Sequence, residues 1–339
     1  MNTQRPVLSV NELRTCFQTA EGPVPAVDGV SFELRKGDTL GIVGESGSGK
    51  SVLNLSLMRL VPRPGRITGG EVIFDGENIL GLSAAELRSL RGRRVAMIFQ
   101  DPMTSLNPYM RISAQMSEIT RTHLGHTKRE AHQHAVKMLE TVGIPDAAER
   151  VHAYPHEFSG GMRQRVMIAM ALSCGPDLLI ADEPTTALDV TIQAQILELI
   201  RELRERLGTS VILVTHDLGV VAGMTDDLMV MYAGRVFERA ATRDLFAAPA
   251  NPYTIGLLRS VPDPSREPGG ELYQIPGLPP DMADLPQGCP FADRCERAEN
   301  ICRVEAPPFI EVASGHYSLC HFADEVYASS VERSEARAV

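Results

Sequence analysis

No part of the 339-residue sequence offers about 18 uninterrupted apolar side chains, so nothing in it is built to cross a bilayer as a helix. The opening Met1-Asn2-Thr3-Gln4-Arg5-Pro6 has no apolar core of the kind a secretory signal needs, which leads us to expect a cytosolic chain. Positive charge is in deficit: 33 Lys and Arg stand against 43 Asp and Glu, a formal net charge of −10, with no long basic run. That balance argues against a protein that lives on nucleic acid or on an anionic membrane surface. There is no internal repeat. The six cysteines of a cytosolic chain are not expected to pair as disulfides. Four of them crowd into the last quarter.

At this length about two domains and a sizeable buried core are expected. The most informative run is Gly44-Glu45-Ser46-Gly47-Ser48-Gly49-Lys50-Ser51, a complete G-x-x-x-x-G-K-[ST] phosphate-binding loop. Thr39 to Val43 before it reads as a short buried strand. Ser51 to Leu60 after it carries Val52, Leu55 and Met58 at helical spacing and stops at Pro62. Glycines at these positions let backbone N–H groups curl around phosphate oxygens, and a helix N-terminus adds its positive dipole end. Lys50 would reach the β- and γ-phosphates, and Ser51 would ligate Mg²⁺.

Further along, Leu178-Leu179-Ile180-Ala181 is continuously apolar, as in a strand covered on both faces, and ends in Asp182-Glu183. Such a strand delivers Asp182 to the carboxyl edge of a sheet, where it can hold Mg²⁺, and leaves Glu183 to orient the attacking water. Residues 190–207 place Ile192, Ile196, Ile200, Leu203 and Leu207 on one helical face, with Gly208 as C-cap. Val211 to Val214 is another buried strand, followed by Thr215-His216-Asp217. Ser159-Gly160-Gly161-Met162-Arg163 opens a helix and forms a second anion site. One phosphate loop already serves one nucleotide, so a second anion site suggests a nucleotide shared between two subunits. The alternation of strands and helices predicts an α/β fold with a largely parallel sheet.

These motifs, in order over roughly 7–260, resemble the nucleotide-binding subunit of ATP-binding-cassette (ABC) transporters. The resemblance implies an ABC ATPase core with a RecA-like mixed sheet and an N-terminal antiparallel β subdomain. It adds an α-helical signature subdomain over about 101–175. By this reading residues 1–250 form the nucleotide-binding domain, 251–328 a small cysteine-containing C-terminal extension, and 329–339 a disordered charged tail. ATP would bind Gly44 through Ser51, with Phe17 as the adenine-stacking aromatic. The signature Ser159, Gly160, Gly161 and Met162 would reach a nucleotide on the facing subunit. Gln100 fits the Q-loop, Asp189 in Ala187-Leu188-Asp189 the D-loop, and His216 the switch histidine. Mg²⁺ would sit on Ser51, Gln100 and Asp182, with Glu183, His216 and Gln100 serving catalysis. Phe158 stands where many members carry leucine.

Phe99-Gln100-Asp101-Pro102-Met103-Thr104-Ser105-Leu106-Asn107-Pro108, Asn251-Pro252-Tyr253-Thr254 and Gly288-Cys289-Pro290-Phe291-Ala292-Asp293-Arg294-Cys295 narrow the resemblance to dipeptide and oligopeptide permease ATPases. It implies two membrane permeases, a second and different ATPase, an extracytoplasmic peptide-binding protein, and a peripheral place on the cytoplasmic face of the inner membrane, with no nucleic acid. A soluble ABC ATPase of nucleic-acid or translation processes, or an importer of glutathione or a nickel complex, is the competing reading. Cys289, Cys295, Cys302 and Cys320, spaced C-x5-C-x6-C-x17-C, could hold a [4Fe–4S] cluster or a structural Zn²⁺. The spacing lacks the C-x2-C knuckle of zinc ribbons, and the resemblance favours iron–sulfur. Cys16 and Cys174 read as unliganded core residues.

Overall fold

The computed structural model describes residues 5–101, 105–186, 188–261 and 273–338. Met1 to Gln4 of the N-terminal reading, Pro102 to Thr104 of the Q-loop stretch and Ala187 of the D-loop lie outside the described residues. Contacts divide the chain into two compact units. The first comprises Met1–Leu8, Leu34–Thr39 and Ile73–Val214, and the second Ser9–Glu33, Leu40–Val72 and Thr215–Val339.

In the first unit, strands Val95–Ile98, Leu178–Asp182 and Ser210–Val214 lie side by side and parallel, with Ile180 opposite Met97 on one side and Ile212 on the other. Every residue of the latter two strands is buried. Their unbroken apolar runs suit strands covered on both faces. Helices Ile112–Leu124, Lys128–Thr141 and Gly160–Leu172 lie within 101–175. The second of these starts on a reciprocal capping box between Thr127 and Glu130. The helix Val190–Leu207 ends on Gly208 at φ 66°, ψ 26°, a left-handed C-cap that glycine adopts without strain. Ile196, Ile200 and Leu203 of its predicted face are buried, joined by Leu197 and Leu199, while Leu207 in the last turn stands exposed.

In the second unit, strands Leu8–Thr19, Gly22–Leu34 and Gly65–Phe74 form one sheet, the first two joined by a tight turn. This is the antiparallel β subdomain. Thr39–Val43 runs parallel to Asp227–Tyr232. That strand pairs antiparallel with Arg235–Ala241, which in turn pairs with His316–Leu319, and Phe309–Ala313 closes the edge. An aromatic cluster of Tyr232, Phe237, Tyr253 and Phe291 fills the core beside these strands, with ring centroids 4.6–5.9 Å apart. Tilted and edge-to-face pairs of this kind add about 0.5–1.5 kcal/mol each beyond the area they bury.

One expectation is overturned. The residues from Ser329 onward are not a disordered tail but the end of the helix Ala323–Ala338. Ala323, Val326 and Ser330, at i, i+3 and i+7, are all buried, and the ring of His316 meets Tyr327 edge-on at 5.3 Å. The buried stripe begins before the charged segment does, so the polar composition of the last residues concealed a docked helix.

Candidate functional site

The phosphate-binding loop follows the buried strand Thr39–Val43 and ends in the helix Lys50–Leu57. Its turns demand glycine. Gly44 sits at φ 151°, and a Cβ there would meet the backbone oxygen of Met231 at 2.2 Å. Gly49 sits at φ 101°, and its Cβ would meet the backbone oxygen of Ala26 at 2.3 Å. Gly49 is the N-cap and offers no side chain, so the first-turn amides and the positive end of the helix dipole face the loop. Lys50 is 5% exposed. Its Nζ donates to the carbonyl oxygens of Gly44 at 2.8 Å and Glu45 at 2.9 Å, with Ser48 Oγ at 3.4 Å. The ammonium is thus held over the loop rather than extended into solvent. Phe17 lies near the end of the strand Leu8–Thr19, half-buried, with its ring against Gly65.

In the first unit, Leu178–Asp182 brings Asp182 to the carboxyl end of the parallel strands, where it is buried. Glu183, the next residue, adopts φ 47°, a left-handed conformation uncommon for a side-chain-bearing residue. Its N–H donates to the carbonyl of Val214 at 2.9 Å. Its Oε2 accepts from Gln100 Nε2 at 2.9 Å and from Thr186 Oγ1 at 2.9 Å. The structure therefore joins Gln100 and Glu183, which the sequence proposed separately. It adds Thr186, which sequence reasoning passed over although it lies three residues away. Gln100 itself is exposed just past the end of the strand Val95–Ile98.

Ser159 caps the helix Gly160–Leu172, its side chain accepting from Met162 N at 3.3 Å. Ser159 and Gly160 are exposed, whereas a Cβ on Gly161 would come within 2.7 Å of Ile192 Cγ2. Phe158, in place of leucine, is buried and packs as an apolar residue should. Asp189 is the N-cap of Val190–Leu207, with Oδ1 accepting from Ile192 N at 3.0 Å, a bond worth about 1 kcal/mol to the helix. His216 is exposed on the turn between strand Ser210–Val214 and helix Leu218–Met224. Asp217 caps that helix by accepting from Gly219 N and Val220 N.

Cys289, Cys295, Cys302 and Cys320 all line one small cavity of about 20 Å³. Burial pushes the thiols up, to about 11 for Cys289 and about 12 for Cys320, and raises Cys295 as well. Among the described residues, however, no group of three or more His, Cys, Asp or Glu side chains is placed to hold a metal ion. The four thiols thus share a pocket, but no coordination set for the expected [4Fe–4S] cluster or zinc is found among the described residues. Cys16 and Cys174 are free and half-buried, and burial raises the Cys174 thiol.

A phosphate loop, an acid pair at a parallel strand end and a capped Ser-Gly-Gly helix start define an ATPase of the ATP-binding-cassette class. Residues 27–186 match the ABC transporter family, and residues 237–302 match the C-terminal region of oligopeptide and dipeptide transporters. The chain is 54% identical over 314 residues to the oligopeptide transport ATP-binding protein OppD of Salmonella typhimurium, covering 93% of each. It is 49% identical over 332 residues to the dipeptide transport ATP-binding protein DppD of Bacillus subtilis, covering 98% of this chain and 99% of that one. Among solved structures, the dimeric post-hydrolysis cassette MJ0796 with ADP and phosphate superposes with a TM-score of 0.63 at 26% identity. That match covers 70% of this chain and 99% of the other. The chain belongs to the family of ATP-binding subunits of oligopeptide and dipeptide ABC transporters. No helix among its described residues is long and apolar enough to cross a membrane.

Proposed function

We propose that this chain hydrolyses ATP to power import of dipeptides or oligopeptides across the cytoplasmic membrane. It does so as a peripheral subunit on the cytoplasmic face. Two membrane permeases, a second ATPase of different sequence and an extracytoplasmic peptide-binding protein complete the assembly. One observation carries the reading: likeness to peptide transport ATP-binding proteins runs through both the cassette and the C-terminal region, while Lys50, Asp182, Glu183 and His216 are all present. The nucleotide-binding domain is assigned to 1–250 and the extension to 251–328.

The chemistry follows from residue type and placement. Phosphoryl transfer to water is mostly positioning and charge neutralisation. The amides of Gly44 to Ser51 and the Lys50 ammonium take up phosphate charge, and Phe17 stacks on adenine. Gln100 turns its amide nitrogen to Glu183, which leaves its carbonyl oxygen, with the Ser51 hydroxyl and the Asp182 carboxylate, as hard oxygen donors of the kind Mg²⁺ selects. Mg²⁺ bound there would neutralise phosphate charge. The Glu183 carboxylate, fixed through Oε2, orients the attacking water and accepts its proton. Ser159, Gly160, Gly161 and Met162 serve the nucleotide of the facing ATPase, with Asp189 beside them, and His216 contacts the γ-phosphate. Convergence of four thiols on one pocket supports Cys289, Cys295, Cys302 and Cys320 as the holders of an iron–sulfur cluster, with zinc as the alternative.

Gentle affinity purification from native membranes, read by mass spectrometry, is expected to recover two multi-span permeases, a second cassette ATPase and a solute-binding protein. Recovery of soluble partners alone would overturn the importer reading in favour of a soluble ATPase. The same purification under anaerobic conditions is expected to carry about four irons per chain. One zinc per chain, or no metal, would remove the cluster.

A further inference from the structure

Glu45, the first residue after Gly44 in the phosphate loop, is held from three directions. Its carbonyl accepts from Lys50 Nζ at 2.9 Å. Its N–H donates to Tyr253 Oη at 2.9 Å, and Tyr253 is fully buried. Its carboxylate takes a two-pronged grip from Arg294, with Nη1 to Oε2 at 2.6 Å and Nη2 to Oε1 at 2.9 Å. Arg294 is in turn fixed: Nε donates to the carbonyl of Pro276 at 2.9 Å, and Nη1 lies 3.2 Å from Tyr232 Oη. Its side chain is only 5% exposed. A planar guanidinium so anchored has little freedom left to lose when it pairs with a carboxylate, and two parallel charge-assisted bonds set orientation as well as strength.

Two of these three holds come from the region beyond residue 250, which no nucleotide-binding motif includes. The carboxylate they restrain sits in a loop whose task is to accept the negative charge of a triphosphate. A free carboxylate there would repel that charge in a partly desolvated setting. We propose that Arg294, supported by Tyr253, is a positioning residue of the nucleotide site: it cancels the charge of Glu45 and locks the phosphate loop in its binding-competent form, so the C-terminal extension sets ATP affinity. This rests on the assignment of Gly44 to Ser51 as the ATP-binding loop.

The test is titration of the full-length chain with MgATP by calorimetry. Native protein that binds no MgATP would overturn the loop assignment, and this inference with it. Given native binding, Arg294→Met is expected to raise Kd about tenfold, because one charge-assisted pair is lost and Glu45 is left uncompensated. Glu45→Gln combined with Arg294→Met is expected to return Kd to within about threefold of native, since the repelling charge has gone. A residue that merely packs the extension would show no such rescue. Kd within about twofold of native in Arg294→Met, or a double variant no better than the single one, overturns the proposal. Arg294→Lys retains the charge and much of the volume, and carries the same test should the methionine variant fail to fold. It keeps the charge but loses the two-pronged grip, so it is expected to weaken binding about threefold, and native-like affinity in it would likewise overturn the proposal.

Discussion

Glu183→Gln is expected to lower ATP turnover on the order of 10²–10⁴-fold while leaving MgATP binding intact, so that the protein accumulates in a nucleotide-loaded state. The substitution changes almost nothing in volume. The new side-chain amide could still accept from Gln100 Nε2 and Thr186 Oγ1 through its carbonyl oxygen, so the local bonds now made to Oε2 survive. What would be lost is the basic oxygen proposed to take a proton from water as the phosphorus–oxygen bond forms. Because Glu183 is held at φ 47° and its N–H is tied to Val214, the side chain has little choice of direction. Phosphate release and equilibrium ATP binding, measured on the same preparation, check the split. Turnover within a few fold of native would sink the assignment of Glu183 as the general base. Loss of binding along with turnover would mean that the residue supports the site rather than the reaction.

The second large effect is expected from a single methyl group. Gly49→Ala places a Cβ 2.3 Å from the backbone oxygen of Ala26 in a residue held at φ 101°. Neither partner of that collision is the end of a flexible side chain, so the loop itself must move. The dihedral strain alone is roughly 1–3 kcal/mol, and the displaced backbone adds to it. If the loop must spend about 3 kcal/mol to regain its binding form, MgATP affinity falls roughly 100-fold. Gly47→Ala is the control within the same loop. At φ 80° it carries dihedral strain, but its Cβ would meet nothing within 4 Å, so its loss of affinity is expected to be about tenfold smaller. Calorimetric ATP titration and thermal denaturation of the pair check this. Equal effects in the two variants would show that backbone strain, and not the contact with Ala26, governs the loop.

Much of the nucleotide machinery could be read from local sequence because its signals are local. The phosphate loop is eight consecutive residues. Leu178–Asp182 and Ser210–Val214 are apolar runs leading into polar groups, and Gly208 follows directly on a helical stripe. What could not be read were contacts between distant parts of the chain. Arg294 and Glu45 are 249 positions apart, and neither residue type announces a partner. Strand Arg235–Ala241 pairs with His316–Leu319, bringing Glu238 opposite Ser318 across a proline- and glycine-dense stretch that reads as irregular. The helix Ala323–Ala338 fooled composition because only about one residue in three or four of its length needs to be buried. The cysteines show the opposite limit. Spacing announced four thiols able to meet, and they do line one cavity, but spacing carries no information on whether the sulfurs close to ligand distance.

Arg294 lies directly before Cys295, and Glu45 directly after Gly44. With these two side chains paired, exchanging the C-terminal extension alone is expected to leave a charge without its partner. A swapped extension without an arginine at this position would leave a partly buried acid stranded in the phosphate loop, and a swapped loop without Glu45 would leave an anchored guanidinium with no carboxylate in its grip. The guanidinium and the carboxylate thus make the loop and the extension a matched set, to be exchanged together if they are exchanged at all.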